Sequence, residues 1–190
     1  MDADFSIELG HEDPVLDFPW TDPEGKLPYF DLKHHPELLA QVEEAKRFPE
    51  LGDFLHAVNS AMSLIESAKC DAWSTTELTP EEEIYGVPHK CASYADLVFS
   101  DLSHRQSFGV HEHFAKKLVE LLRRTPETPS TAELCVRRCL FHAEGDTREG
   151  FYYSLYVSGY GKDEVRARQN WGIALKLAGN AILQLSAAGL

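Results

Sequence analysis

The stretch Phe151–Tyr160, FYYSLYVSGY, constrains the fold more than any other part of this chain. On a strand, Phe151, Tyr153, Leu155 and Val157 point one way, while Tyr152, Ser154, Tyr156, Ser158 and Tyr160 point the other. One side is apolar. The other alternates phenols with small hydroxyls, the pattern of a strand that divides a core from a half-wet surface.

The neighbouring sequence supplies partners for such a strand. Residues from about Ala132 to His142 read as a second strand, joined across Ala143–Gly150 by the turn formers Gly145, Asp146 and Gly150. An earlier pair is expected at Cys70–Leu78 and about Lys90–Ser100, separated by the acidic loop Thr79–Glu83. Helical spacing appears elsewhere. A short helix is expected after Pro36, and another from Pro49 to about Ala68 with Phe54, Val58, Ala61, Met62 and Ile65 on one face. Ser107 is a good N-cap for a third, which buries Val110, Phe114, Leu118, Leu121 and Leu122 and stops at Thr125-Pro126. The last runs from about Lys162 to Ser186, and its apolar stripe is too wide for a single contact. The fold expected is therefore α+β: an antiparallel sheet of about four strands, in two hairpins, packed against long helices in the order α-α-β-β-α-β-β-α.

Residues 1–35 carry Pro14, Pro19, Pro23 and Pro28, too many breakers for a helix or a central strand. They also carry Leu16, Phe18, Trp20, Leu27, Tyr29 and Phe30, more apolar bulk than a disordered tail has. We read them as an irregular arm laid over a single domain of residues 36–190, with Phe5–Leu9 able to add a short strand. A chain of 190 residues, 43% hydrophobic and 11% aromatic, is long enough to bury a core of its own.

Charge excludes some partners. The net charge is −13, and residues 1–100 hold 21 acids against 6 Lys and Arg. Phosphate-backbone binding needs a basic footprint, so nucleic acid is excluded as a partner, and an anionic membrane surface is excluded for the same reason. The imbalance reads either as a soluble acidic protein or as an acidic front half docked on a more basic back half. There is no targeting segment or membrane-length apolar run at sequence level, so the expected location is cytoplasmic. Cys70, Cys91, Cys135 and Cys139 form no metal or disulfide framework and are expected as free thiols.

The candidate site is the polar side of the sheet. If the registers align, Trp73, Glu77, Tyr94, Asp96, Arg137, Tyr152 and Tyr156 share one face, a mixture suited to a small polar ligand or a protein partner. The bland alternative is the solvated side of a one-sided sheet. Asp96 stands out because it interrupts the strand run SYADLVFS. It could pair with Arg137, accept from a ligand, or guard an edge strand. His104, His111 and His113 lack the i,i+4 spacing of a helical zinc site and are read as surface histidines, so no metal and no cofactor is expected. Gly159 and Gly161 give only G-x-G, read as a turn before the last helix. No nucleophile elbow or phosphate loop is present. Two function classes follow. The first is a non-enzymatic binding module, self-associating as a homodimer through the wide stripe of the last helix. The second is a small-molecule-binding protein or enzyme that uses the sheet face as its pocket.

Overall fold

The period-two stretch lies within a 16-residue strand that forms the middle of the sheet. The computed structural model describes residues 1–22, 24–25, 27–143 and 145–189. In chain order these form β1 (Asp2–Glu8), β2 (Val15–Phe18), α1 (Glu43–Arg47), α2 (Pro49–Val58), β3 (Ile65–Thr75), β4 (His89–Phe99), α3 (Leu102–Arg105), α4 (Phe108–Arg123), β5 (Ser130–Ala143), β6 (Asp146–Gly161) and α5 (Glu164–Ala188). Short 3-10 turns occur at Pro36–Gln41 and Glu82–Tyr85.

The fold is α+β with a mostly antiparallel sheet, and the two hairpins β3–β4 and β5–β6 join through β4 and β6. The strand order is β1-β5-β6-β4-β3, with β2 continuing along β5 beyond the end of β1. Among the described residues the sheet thus has six strands rather than four. The two extra strands come from the segment read as irregular. β1 pairs parallel with β5 from Asp2↔Thr131 to Glu8↔Arg137, and β2 does so from Val15↔Arg138 to Phe18↔Phe141. The prolines sit outside these strands, which leaves the strands' N–H groups free to pair.

The helix from Pro49 also ends earlier than its apolar spacing suggested. It stops at Val58, and Ile65 begins β3. Asn59 makes the stop. Its Nδ2 donates to the Leu55 carbonyl and to Ser67 Oγ, both at 2.8 Å, and its Oδ1 accepts from Ser67 N–H at 2.9 Å. Ile65 reaches the same core as Phe54 and Val58, so its helical spacing was a coincidence of position.

One face of the sheet meets the helices. Leu97 and Phe99 of β4, Leu134 and Val136 of β5 and Tyr153, Leu155 and Val157 of β6 join Phe54, Leu118, Trp171 and Ile182 in the main core. Gly159 and Gly161 are strand residues rather than a turn. An added Cβ at Gly159 would fall 2.1 Å from the Trp171 nitrogen, and one at Gly161 would fall 2.4 Å from that of Ala167. Only glycine lets α5 lie this close to β6. Asn170 Nδ2 donates to the Tyr160 carbonyl at 2.7 Å across the same contact. The width of α5's stripe is used within the chain, because α5 touches β6, β4, β5, β3, α2 and α4. Among the described residues, no helix is long and apolar enough to cross a membrane.

The charge asymmetry is met inside the chain. Back-half arginines pair with front-half carboxylates: Arg123 with Asp4 at 3.4 Å, Arg137 with Glu8 at 2.7 Å, Arg168 with Glu50 at 2.8 Å, and Arg105 with Glu66.

Candidate functional site

The second face of the sheet carries a smaller apolar cluster of Leu16, Phe18, Ala68, Val98, Cys139, Phe141 and Tyr152, with Trp20 and Tyr29 packed against it. β2 and the residues after it therefore cover one end of this face. Arg105 lies between the Phe18 and Phe141 rings, 5.1 and 4.9 Å from their centroids, and its Nε donates to the Phe99 carbonyl at 2.6 Å. Its partner Glu66 is buried, and burial raises that carboxyl above the ordinary range against the pull of Arg105. The loop between β3 and β4 covers the other end. Tyr85 stacks on Tyr160 at 4.3 Å, Tyr160 donates to Glu82 at 2.8 Å, and Glu82 pairs with Lys90.

Between these covers runs a polar chain that crosses five strands. The register aligns Ser6, Cys135, Ser154, Asp96 and Lys69 in one row. Arg137 Nε donates to Glu8 at 2.7 Å, and its Nη1 donates to Ser154 Oγ at 2.9 Å and to the Tyr156 hydroxyl at 3.0 Å. Ser154 Oγ donates in turn to Asp96 Oδ1 at 2.5 Å. Lys69 Nζ lies 3.4 Å from Asp96 Oδ2. Arg137 holds the Glu8 carboxyl below its ordinary range, whereas burial raises that of Asp96 despite Ser154 and Lys69.

Five of the seven residues expected together do share this region. Tyr94 and Tyr156 are half-buried neighbours with ring centroids 6.1 Å apart, and Asp96, Arg137 and Tyr152 lie beside them. Trp73 is on the same face, towards the outer end of β3 and partly exposed. Glu77 is not on it: β3 ends at Thr75, and Glu77 lies exposed in the following loop. Tyr152 is interior, under Leu16 and Phe18, and burial raises its hydroxyl to about 12. Asp96 guards no edge, because β4 is flanked by β6 and β3 and the carboxylate is 2% exposed. It reaches Arg137 only through Ser154.

Lys69 was missed because it fell between the helix expected to about Ala68 and the strand expected from Cys70. It sits at a β-bulge, where Ala68 is the extra residue between the pairs Ser67↔Leu97 and Lys69↔Asp96. Its ammonium is 5.5 Å from the Trp20 ring centroid and 5.9 Å from that of Tyr94. Beside it opens a cavity of about 480 Å³, bounded by Trp20, Leu27, Pro28 and Phe30 on one side and by Lys69, Asp71 and Tyr94 on the other. Glu43 and Glu44 also line it.

His111 is buried rather than on the surface. Its Nδ1 lies 2.9 Å from the Ser107 carbonyl and its Nε2 3.1 Å from that of Phe151, among the rings of Phe99, Phe151 and Tyr153. Burial lowers its pKa to about 4. No metal-holding group of three His, Cys, Asp or Glu residues occurs among the described residues. The four cysteines are free thiols, and burial raises Cys135 to about 11, away from nucleophilic thiolate chemistry. Ser154 is 1% exposed, so a substrate carbonyl has no access to its hydroxyl.

No family model, no curated protein and no solved structure matches this chain.

Proposed function

We propose that the protein is a small-molecule-binding module whose ligand enters the cavity between the N-terminal crossing segment and the β3–β4 side of the sheet. The carrying observation is the cavity itself. It is walled by Trp20, Phe30 and Tyr94 and bordered by Lys69 and Asp71, an apolar enclosure with a few convergent polar groups. Its size suits a small amphipathic molecule better than a protein surface. Binding is favoured over catalysis because the reactive-looking groups of the face, Asp96 and Ser154, are sealed beneath Lys69, Arg137 and the two tyrosines. The groups left accessible are recognition types.

Thermal shift against a panel of neutral, cationic and anionic amphipathic compounds tests this reading. Leu27 lines the cavity and is 59% exposed, so Leu27→Asp should fold normally and lose the shift produced by any true ligand. A panel without a hit, or hits indifferent to Leu27→Asp, removes the proposal.

Self-association is a second reading. Ile173, on the outer side of α5, is exposed beside a groove of about 620 Å³ between α2 and α5, and Val165 is exposed in the first turn of that helix. Analytical ultracentrifugation decides it: a clean monomer at micromolar concentration excludes the dimer.

A further inference from the structure

We infer that the cavity selects an organic cation, and that Lys69 is a resident ammonium occupying the subsite a ligand's ammonium would take. This rests on the cavity being a ligand site, and it names the class of ligand.

The surroundings of Lys69 are those of a cation receptor. Two aromatic faces, Trp20 and Tyr94, lie within 6 Å of its nitrogen, and the Asp96 carboxylate lies 3.4 Å away. Ammonium groups are recognised by ring faces backed by negative charge. Glu43, Glu44 and Asp71 also line the cavity, Asp71 with Arg47 3.9 Å away, so carboxylates outnumber Lys69 among the described residues of its walls. An anionic ligand would approach Lys69 past those carboxylates, and the overall charge of −13 would repel it at longer range.

Lys69 is also held loosely for a buried-side lysine. Lys33 gives its three donors to the carbonyls of Ser60, Ser63 and Ile65 at 2.9, 2.5 and 3.1 Å. Lys69 has one acidic partner at 3.4 Å, and its side chain is 29% exposed towards the cavity. Its aliphatic stem can carry the ammonium towards solvent, and the cost of leaving the buried Asp96 carboxylate without its cation keeps this site, shaped for one positive charge, free for only a fraction of the time. Apparent affinity for an external cation is then reduced by the fraction of time the site is free.

Calorimetric titration with n-butylammonium, butyrate and n-butanol tests the inference on the wild type, Lys69→Met and Trp20→Leu. Butylammonium should bind the wild type weakly. It should bind Lys69→Met about tenfold more tightly, as expected if the site is free about a tenth of the time in the wild type. It should also raise the melting temperature of Lys69→Met, which has lost the ammonium beside Asp96. Trp20→Leu should weaken butylammonium in the otherwise wild-type protein, a readout independent of how well Lys69→Met folds. Butyrate binding that exceeds butylammonium and disappears in Lys69→Met would overturn the charge assignment and leave the cavity as a ligand site. Equal affinity for butanol and butylammonium would do the same. Silence from all three probes, together with a panel that yields no ligand, would remove both the assignment and the site.

Discussion

Replacing Gly159 with alanine should damage this protein far more than its single added methyl suggests. The new Cβ would sit 2.1 Å from the Trp171 nitrogen and 2.6 Å from the Ala167 carbonyl oxygen, where ordinary contacts lie beyond 3.4 Å. Both neighbours are backbone, so no rotamer change relieves the overlap. Helix α5 must move outward by more than an ångström, through a core in which Ala167 and Trp171 have no exposure. Overpacking of this kind costs about 1–3 kcal/mol. The shift also breaks the buried bond from Asn170 to the Tyr160 carbonyl, worth roughly 1–3 kcal/mol when a buried group is left unpaired. A total near 4 kcal/mol, at about 2–4 °C per kcal/mol for a domain this long, lowers the melting temperature by roughly 10 °C. Gly109→Ala is the matched control. That glycine is exposed in α4 with nothing within 4 Å of its virtual Cβ, so alanine should stabilise by up to about 1 kcal/mol through helix propensity. Urea unfolding of both variants decides the matter. Gly159→Ala within about 1 kcal/mol of the wild type would refute the close packing of α5 on β6.

Glu66→Ala strands Arg105 between the Phe18 and Phe141 rings and should cost about 3–5 kcal/mol in urea unfolding, whereas a loss under 1 kcal/mol would show that the pair is solvated. The His111 ring takes up its proton near pH 6.5 when unfolded and near 4 when folded, so its contribution is complete above pH 6.5 and fades as the pH falls towards 4. The loss over that window is about 3 kcal/mol at ~1.4 kcal/mol per pH unit. Wild type should therefore lose stability relative to His111→Gln between pH 7 and 4.5, and a difference that stays constant with pH would contradict a neutral buried ring. Arg137→Met removes the donor shared by Glu8, Ser154 and Tyr156, so the amides of β1 should exchange about tenfold faster while those of β4 hold, and unchanged exchange in β1 would separate the polar chain from sheet cohesion.

Period-two alternation in FYYSLYVSGY and the Ser107 cap of α4 were readable in the sequence, because each follows from local chain geometry, whereas the adjacency of Tyr94 and Tyr156 was conditional on a register between β4 and β6 that only the assembled sheet supplies. Ser107 does accept from Val110 N–H, at 3.4 Å, as a residue of its type before a helix should. The sequence also carried the apolar content of residues 1–35, but not where those residues go. Their parallel pairing joins Ser6 to Cys135 across most of the chain, and local pattern holds no record of a contact made at that distance. The same is true of Lys69. Its place on Asp96 depends on a bulge that shifts register by one residue, and such a shift sends a side chain to the opposite face. Tertiary structure alone decided which phenols stay accessible: β2 closes over Tyr152 and Tyr85 over Tyr160, so an evenly alternating strand ends as two buried rings and one half-open one, Tyr156. Alternation states which side of a strand a residue is on. What covers that side is set by segments far away in the chain.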